Sequence, residues 1–133
     1  MKMDKYITKI ASKKDVLLAI SYTKDLINNM NFTTFEEQQI LVCVSELTNN
    51  IVKHAGVEGT FTCFIQGHEL HITASDKGKG IENVTAILEG NMDIDTAGLG
   101  RGLQLSNKYM DVFSITTKPN EGVTIVAVKV ESH

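Results

Sequence analysis

Tryptophan is absent from this 133-residue chain, proline occurs once and cysteine twice. With one proline there is no polyproline segment or proline-rich linker, and few obligatory stops for helices or strands. Cys43 and Cys63 lack metal-type spacing and are too few for the disulfide framework of a small secreted domain. They read as reduced, inert thiols of a cytoplasmic protein. An excess of one charge is also missing, with 13 Lys and Arg against 16 Asp and Glu and a net charge of −3. That balance, with the basic residues scattered, argues against nucleic acid and against an anionic membrane surface as partners. No uncharged run is long enough to span a bilayer, and the start MKMDKYITKI has no apolar leader core.

What is present is ordinary globular material, 42% apolar and 22% charged, enough for one ordered domain over residues 1–133. Tyr6 to Ile10 alternates apolar and polar residues as a short strand does. Ser12 with Asp15 forms a capping-box pattern before a helical stripe of Val16, Ile20, Thr23, Ile27 and Met30. Thr33 or Thr34 with Glu36 or Glu37 caps a second helix with the stripe Ile40, Val44, Leu47, Ile51 and Ala55, and Gly56 is placed to close it. From Thr60 to Ser75 the period changes to two, with Gly67 and His68 at a hairpin turn. Asp76 to Gly80 reads as a loop and Asn83 to Glu89 as a short helix, followed by a polar segment, GNMDIDTAG. Gly100 to Met110 reads as a helix, and Val112 to Thr117 and Val123 to Val130 as strands around the turn KPNEG. This order favours an α+β fold, a two-layer α/β sandwich of helices on a mostly antiparallel sheet, over a doubly wound parallel sheet.

The glycine run TAGLGRGLQL fits neither common nucleotide loop. It lies late in the chain, behind a polar loop and ahead of a hairpin, where a Rossmann loop would follow a first buried strand. Gly78-Lys79-Gly80 has no hydroxyl after the lysine, as a Walker loop requires. Alternating glycines before a helix still let backbone amides approach an anion, and a plain structural turn is the other reading.

On the second helix Glu46, Asn50 and His54 stand four apart, in one slanting row beside the apolar stripe. Polar groups at that edge need partners. They are either a helix rim hydrogen-bonded to loops or a metal-nucleotide site, with an amide oxygen suited to magnesium and a carboxylate suited to general-base work. Asp76 ends the hairpin, as an ordinary Asp-Gly turn or as an acceptor for an exocyclic amine beside the space left by Gly78 and Gly80. The HELH stretch puts His68 and His71 three apart, on opposite faces of a regular strand, and gives no metal site.

Together and in this order, these stretches resemble the boxes of the GHKL (Bergerat-fold) ATPases. SELTNNIVKHA is similar to the N box, DKGKGI to the G1 box and GLGRGL to the G2 box, with NEGVTI where the superfamily has its Gly-Thr strand. The resemblance implies ATP and Mg2+ as cofactors, Asn50 as magnesium ligand and Glu46 as catalytic carboxylate. It implies Asp76 on the adenine amine, with Gly78, Gly80 and Ile81 around that pocket and Thr124 supporting it. Gly98, Leu99, Gly100, Gly102 and Leu103 would line the phosphates under a lid from about Gly90 to Ala97, with His54 and Arg101 as phosphate-side contacts. Val123 stands between Gly122 and Thr124 where Gly-Thr is often contiguous.

The chain has no room for the dimerisation or transducer modules of larger members. It is similar to the free-standing anti-sigma-factor serine/threonine kinase group, and TAGLGRGLQLSNKYMDVFSI is more similar to the switch kinases of the stressosome than to the sigma-binding kinases. That group implies phosphorylation of a STAS-domain protein, with a PP2C-type phosphatase or a sigma factor as further partner; the oligomeric state is left open by the sequence, a homodimer being one option. The rival from another class is a module that holds nucleotide and sequesters a sigma factor, or activates a phosphatase, without needing turnover.

Overall fold

The computed structural model describes residues 5–80 and 99–131. The expected helix at Asn83 to Glu89, the lid, Ile81 and Gly98 lie outside them. Five strands form one sheet in the order β1-β2-β3-β5-β4, with every neighbouring pair antiparallel. The strands are β1 (Lys5–Ile10), β2 (Gly59–Gln66), β3 (Glu69–Asp76), β4 (Val112–Thr117) and β5 (Val123–Val130). Three α-helices, α1 (Lys13–Ile27), α2 (Thr34–Asn50) and α3 (Leu99–Tyr109), pack against this sheet. The two-layer α+β sandwich read from the element order is the observed architecture.

Local chemistry explains where the elements start. At α1 the Asp15 carboxylate reaches back to the backbone N–H groups of Ala11 and Ser12, at 2.8 and 3.2 Å. At α2 Thr33 Oγ1 accepts from Glu36 N at 3.1 Å while Glu36 Oε1 accepts from Thr33 N at 2.9 Å, a complete capping box. The hairpin turns at Gly67, whose φ of 61° puts the first turn residue in the left-handed region that glycine enters without strain.

The core lies between the layers. Phe61, Cys63, Leu70, Ile72 and Ala127 point inward from the sheet and are fully buried, against Ala19, Ile40, Cys43, Val44 and Leu103 from the helices. On α1 the buried stripe is Val16, Ala19, Thr23, Leu26 and Ile27. Ile20 and Met30, expected in the stripe, pack at its margin instead. The small Ala19 lets α1 approach closely, and burial of Leu26 turns the face by a fraction of a turn.

Past Asn50 the helix departs from expectation. Ile51–Ala55 forms a π-helical turn, closed by Gly56 at φ 75°, ψ −6° as a left-handed C-cap. The predicted row of Glu46, Asn50 and His54 is therefore α-helical only as far as Asn50. Widening to i→i+5 bonds shifts His54 off the α-helical four-residue offset.

Candidate functional site

β3 is the middle strand of the sheet, and its last residue, Asp76, sits opposite Gly59 on β2 and Val123 on β5. The strand ends there because Asp76 turns the chain, its Oδ1 accepting from Gly78 N at 2.8 Å. The other carboxylate oxygen has no partner among the described residues and remains free to accept from an incoming donor. Next to it, Ser75 Oγ and Thr124 Oγ1 lie 3.0 Å apart across the β3–β5 ladder. Thr124 is thus tied to the strand that carries Asp76, one residue from it.

Two glycines let the backbone close around this strand end. A Cβ on Gly122, where φ is 89°, would stand 2.1 Å from the Asp76 carbonyl oxygen. One on Gly59 would meet the Ser75 carbonyl at 2.5 Å and Ile51 Cγ2 at 2.9 Å. Bare backbone at Gly59 is what allows Ile51, the residue after Asn50, to rest on the β2–β3 end. This brings the last turn of α2 to the Asp76 end of the sheet. Gly59 was not among the residues singled out from sequence. Its only signal there is a glycine opening a strand, which is common to many edges.

Gly80 sits at φ 84°, and a Cβ there would lie 2.5 Å from the Lys118 carbonyl oxygen. Its bareness is required by the loop after β4, a duty the sequence reading did not include. Gly78 is buried beside Asp76.

The glycine run opens α3, with Leu99, Gly100 and Arg101 in its first turn. α3 runs antiparallel to α2. Cys43 on α2 neighbours Ser106 on α3, and three residues further along α2 Glu46 meets Gly102 on α3. The contact at Gly102 is close, since a Cβ there would come within 2.3 Å of Glu46 Oε2. The N-terminal end of α3, where a helix carries partial positive charge, therefore lies level with Glu46. Leu103, expected in the nucleotide site, is fully buried in the core, so its side chain anchors α3 and does not face a ligand. Its leucine fills the inter-layer space one residue past the close approach.

Glu46 is half-buried and makes no hydrogen bond or ion pair among the described residues. At Asn50, Nδ2 is buried and has no hydrogen-bond partner among the described residues; at Asn49, Oδ1 is buried in the same condition, while its Nδ2 donates to Ser45 O at 2.9 Å. Buried polar atoms without partners are rare in folded chains. A half-turn of the Asn50 amide exchanges its oxygen and nitrogen, so a group suited to a hard cation stands unpartnered next to Glu46 and a helix N-terminus. These residues fit magnesium carried by a phosphate chain. Elsewhere, His71 Nε2 lies 2.9 Å from Glu69 and His68 Nδ1 2.6 Å from Glu131, and no group of three metal-ligating side chains occurs among the described residues.

Residues 11–129 match the family described as the histidine kinase-like ATPase domain. The chain belongs to that family. It is 30% identical over 129 residues to the serine/threonine-protein kinase RsbT of Bacillus subtilis, covering 95% of this chain and 96% of that protein. It is 32% identical over 107 residues to an anti-sigma F factor of Anoxybacillus flavithermus, covering 73% and 71% of the two chains. An anti-sigma F factor of a Thermoanaerobacter species is 28% identical over 104 residues, with 72% of each chain covered. Within this ATPase-domain family, the matched region contains the α2 row, the Asp76 turn and the start of α3. No helix among the described residues is long and apolar enough to cross a membrane.

Proposed function

We propose that the chain is an ATP-dependent serine/threonine protein kinase of a partner-switching module and that it phosphorylates a STAS-domain protein. The observation that carries this reading is the contact of Glu46 with Gly102. It puts an unpartnered carboxylate and the Asn50 amide at the N-terminal end of a glycine-rich helix. The likeness to a serine/threonine kinase over nearly the whole chain supports it.

The residues divide the work by position. Asp76 accepts from the adenine amine, held in place by its Gly78 turn, and Thr124 supports that side through the Ser75 hydroxyl. By the family resemblance, backbone N–H groups of the run Gly98, Gly100 and Gly102 would serve the phosphates, with His54, Arg101 and Leu99 assigned to that side and Ile81 to the adenine side with Gly78 and Gly80. Asn50 would hold magnesium, which would supply charge neutralisation at the phosphates. Glu46 takes the proton of the substrate hydroxyl as that oxygen bonds to the γ-phosphorus, while the bond from phosphorus to the β-γ bridging oxygen breaks and ADP leaves. Positioning and charge stabilisation supply most of the acceleration in such a transfer.

Two relatives named as anti-sigma F factors favour a second reading, in which the partner is a sigma factor. A PP2C-type phosphatase is the corresponding partner on the switch-kinase side.

Calorimetric titration with MgATP tests the reading. Wild type is expected to bind, and Asn50→Ala and Asp76→Asn each to weaken binding at least tenfold, or ~1.4 kcal/mol. Failure of wild type to bind nucleotide, with or without magnesium, sinks it.

A further inference from the structure

Two of the large exposed apolar side chains stand on the helix that carries the reactive carboxylate. Phe35 is 59% exposed and Val42 39% exposed, both on α2. At 100° per residue, Phe35, Val42, Glu46 and Asn49 fall within about 60° of one another around the helix axis. The buried residues Ile40, Val44 and Leu47 lie on the opposite side. Phe35 and Val42 are therefore not the margin of the core. They form a separate stripe that runs straight to Glu46.

The surroundings narrow what fits this stripe. Gln38, Ser45 and Asn49 fill it out, so it carries no charge until Glu46 itself. Leu105 and Tyr109 are half-buried on α3, the helix that packs beside α2. An uncharged, shallow track with two apolar knobs neither attracts a basic or acidic peptide nor encloses a small molecule. It suits a polypeptide segment with apolar side chains.

We infer that the α2 stripe Phe35–Val42 docks the segment of the protein substrate that flanks the phosphoacceptor hydroxyl. This rests on the kinase reading and adds where the substrate lies and what it must contain. Val42 and Phe35 are about 6 and 16 Å along the axis from Glu46 at 1.5 Å per residue. An extended segment advances about 3.3 Å per residue and presents every second side chain to one face, so its apolar side chains belong roughly two and four to six positions from the hydroxyl, on the face that bears it.

The test compares wild type, the double variant Phe35→Ser/Val42→Ser, and Val112→Ser as a control on the exposed edge strand β4, where Val112 is 52% exposed. Each is titrated with MgATP and then assayed for transfer of labelled γ-phosphate to the STAS-domain proteins of the same genome. The double variant is expected to raise KM for the protein substrate about tenfold, with kcat and MgATP affinity unchanged and Val112→Ser like wild type. An unmoved KM, or an equal rise in Val112→Ser, overturns the docking stripe and leaves the kinase reading standing. Intact MgATP binding without transfer to any STAS-domain protein also overturns it, together with that substrate class. Conversion of a dimer to a monomer by the double variant makes the occupant a second copy and likewise overturns it. Loss of MgATP binding in wild type overturns the functional reading instead.

Discussion

Gly102 and Glu46 touch across the α2–α3 interface so closely that one added carbon would stand 2.3 Å from a carboxylate oxygen. Gly102→Ala must therefore displace either the helix or the Glu46 side chain. The expected result is a fall in phosphate transfer of tenfold or more, with a stability loss of about 1–3 kcal/mol typical of overpacking. Glu46→Gln should also be nearly inactive, and the double variant should lose little more than either alone, because both act on one group. Additive losses in single-turnover rates would show that Gly102 acts elsewhere.

The hydroxyls of Ser75 and Thr124 satisfy each other at 3.0 Å on two central strands. Removing one leaves the other without its partner, so Ser75→Ala and Thr124→Val should each cost about 1 kcal/mol. The double variant should cost less than the sum, which urea denaturation of the four proteins would measure. If the roles proposed for this pair hold, MgATP affinity will drop in Thr124→Val more than in Ser75→Ala.

Burial pushes both thiols up, Cys43 to about 12 and Cys63 to about 11. For Cys63 the Thr23 hydroxyl, 3.8 Å from the sulfur, opposes this, and for Cys43 the neighbouring Glu46 adds to it. Folded and unfolded chains both keep these protons below about pH 8.5, the ordinary thiol value, so the thiols contribute no pH dependence there. Above it the unfolded chain releases protons that the folded chain retains until about pH 11, and stability falls as pH rises. Urea midpoints between pH 7 and 10 should show this fall, and Cys63→Ala should make it shallower. A slope unchanged by that substitution would rule out the thiol as its source. Both thiols should resist a disulfide reagent at pH 8 until the chain is unfolded.

Much of this was legible from residue patterns because the signals were local. Thr33 with Glu36, Asp15 behind Ser12, the alternation on each side of Gly67 and the left-handed glycine at Gly56 all act within a few residues. The bounds of β4 and β5 follow from the same kind of pattern. What could not be read depends on distant backbone. Gly59 must be bare because of Ser75 and Ile51, and Gly80 because of Lys118, and neither neighbour is near in sequence. Leu103 looked like part of a glycine-rich box, and only the packing of α3 against the sheet shows it to be core. Likewise, five residues of apolar and polar spacing do not separate an α-turn from a π-turn.

That π-turn at Ile51–Ala55 has a consequence for the lengths this chain tolerates. Each residue of an α-helix advances about 100° around the axis, so losing one residue inside the turn would let α2 run on in ordinary register and swing Gly56 and the start of β2 about a quarter-turn away. Ile51 would leave Gly59, and the strand end bearing Asp76 would part from the helix bearing Asn50. The hairpin loop KPNEG carries a like duty, since Gly122 abuts the Asp76 carbonyl, the Lys118 carbonyl stands over Gly80 and Asn120 N donates to Lys79 O at 2.8 Å. Natural variation in chain length should therefore avoid both this loop and the five residues after Asn50.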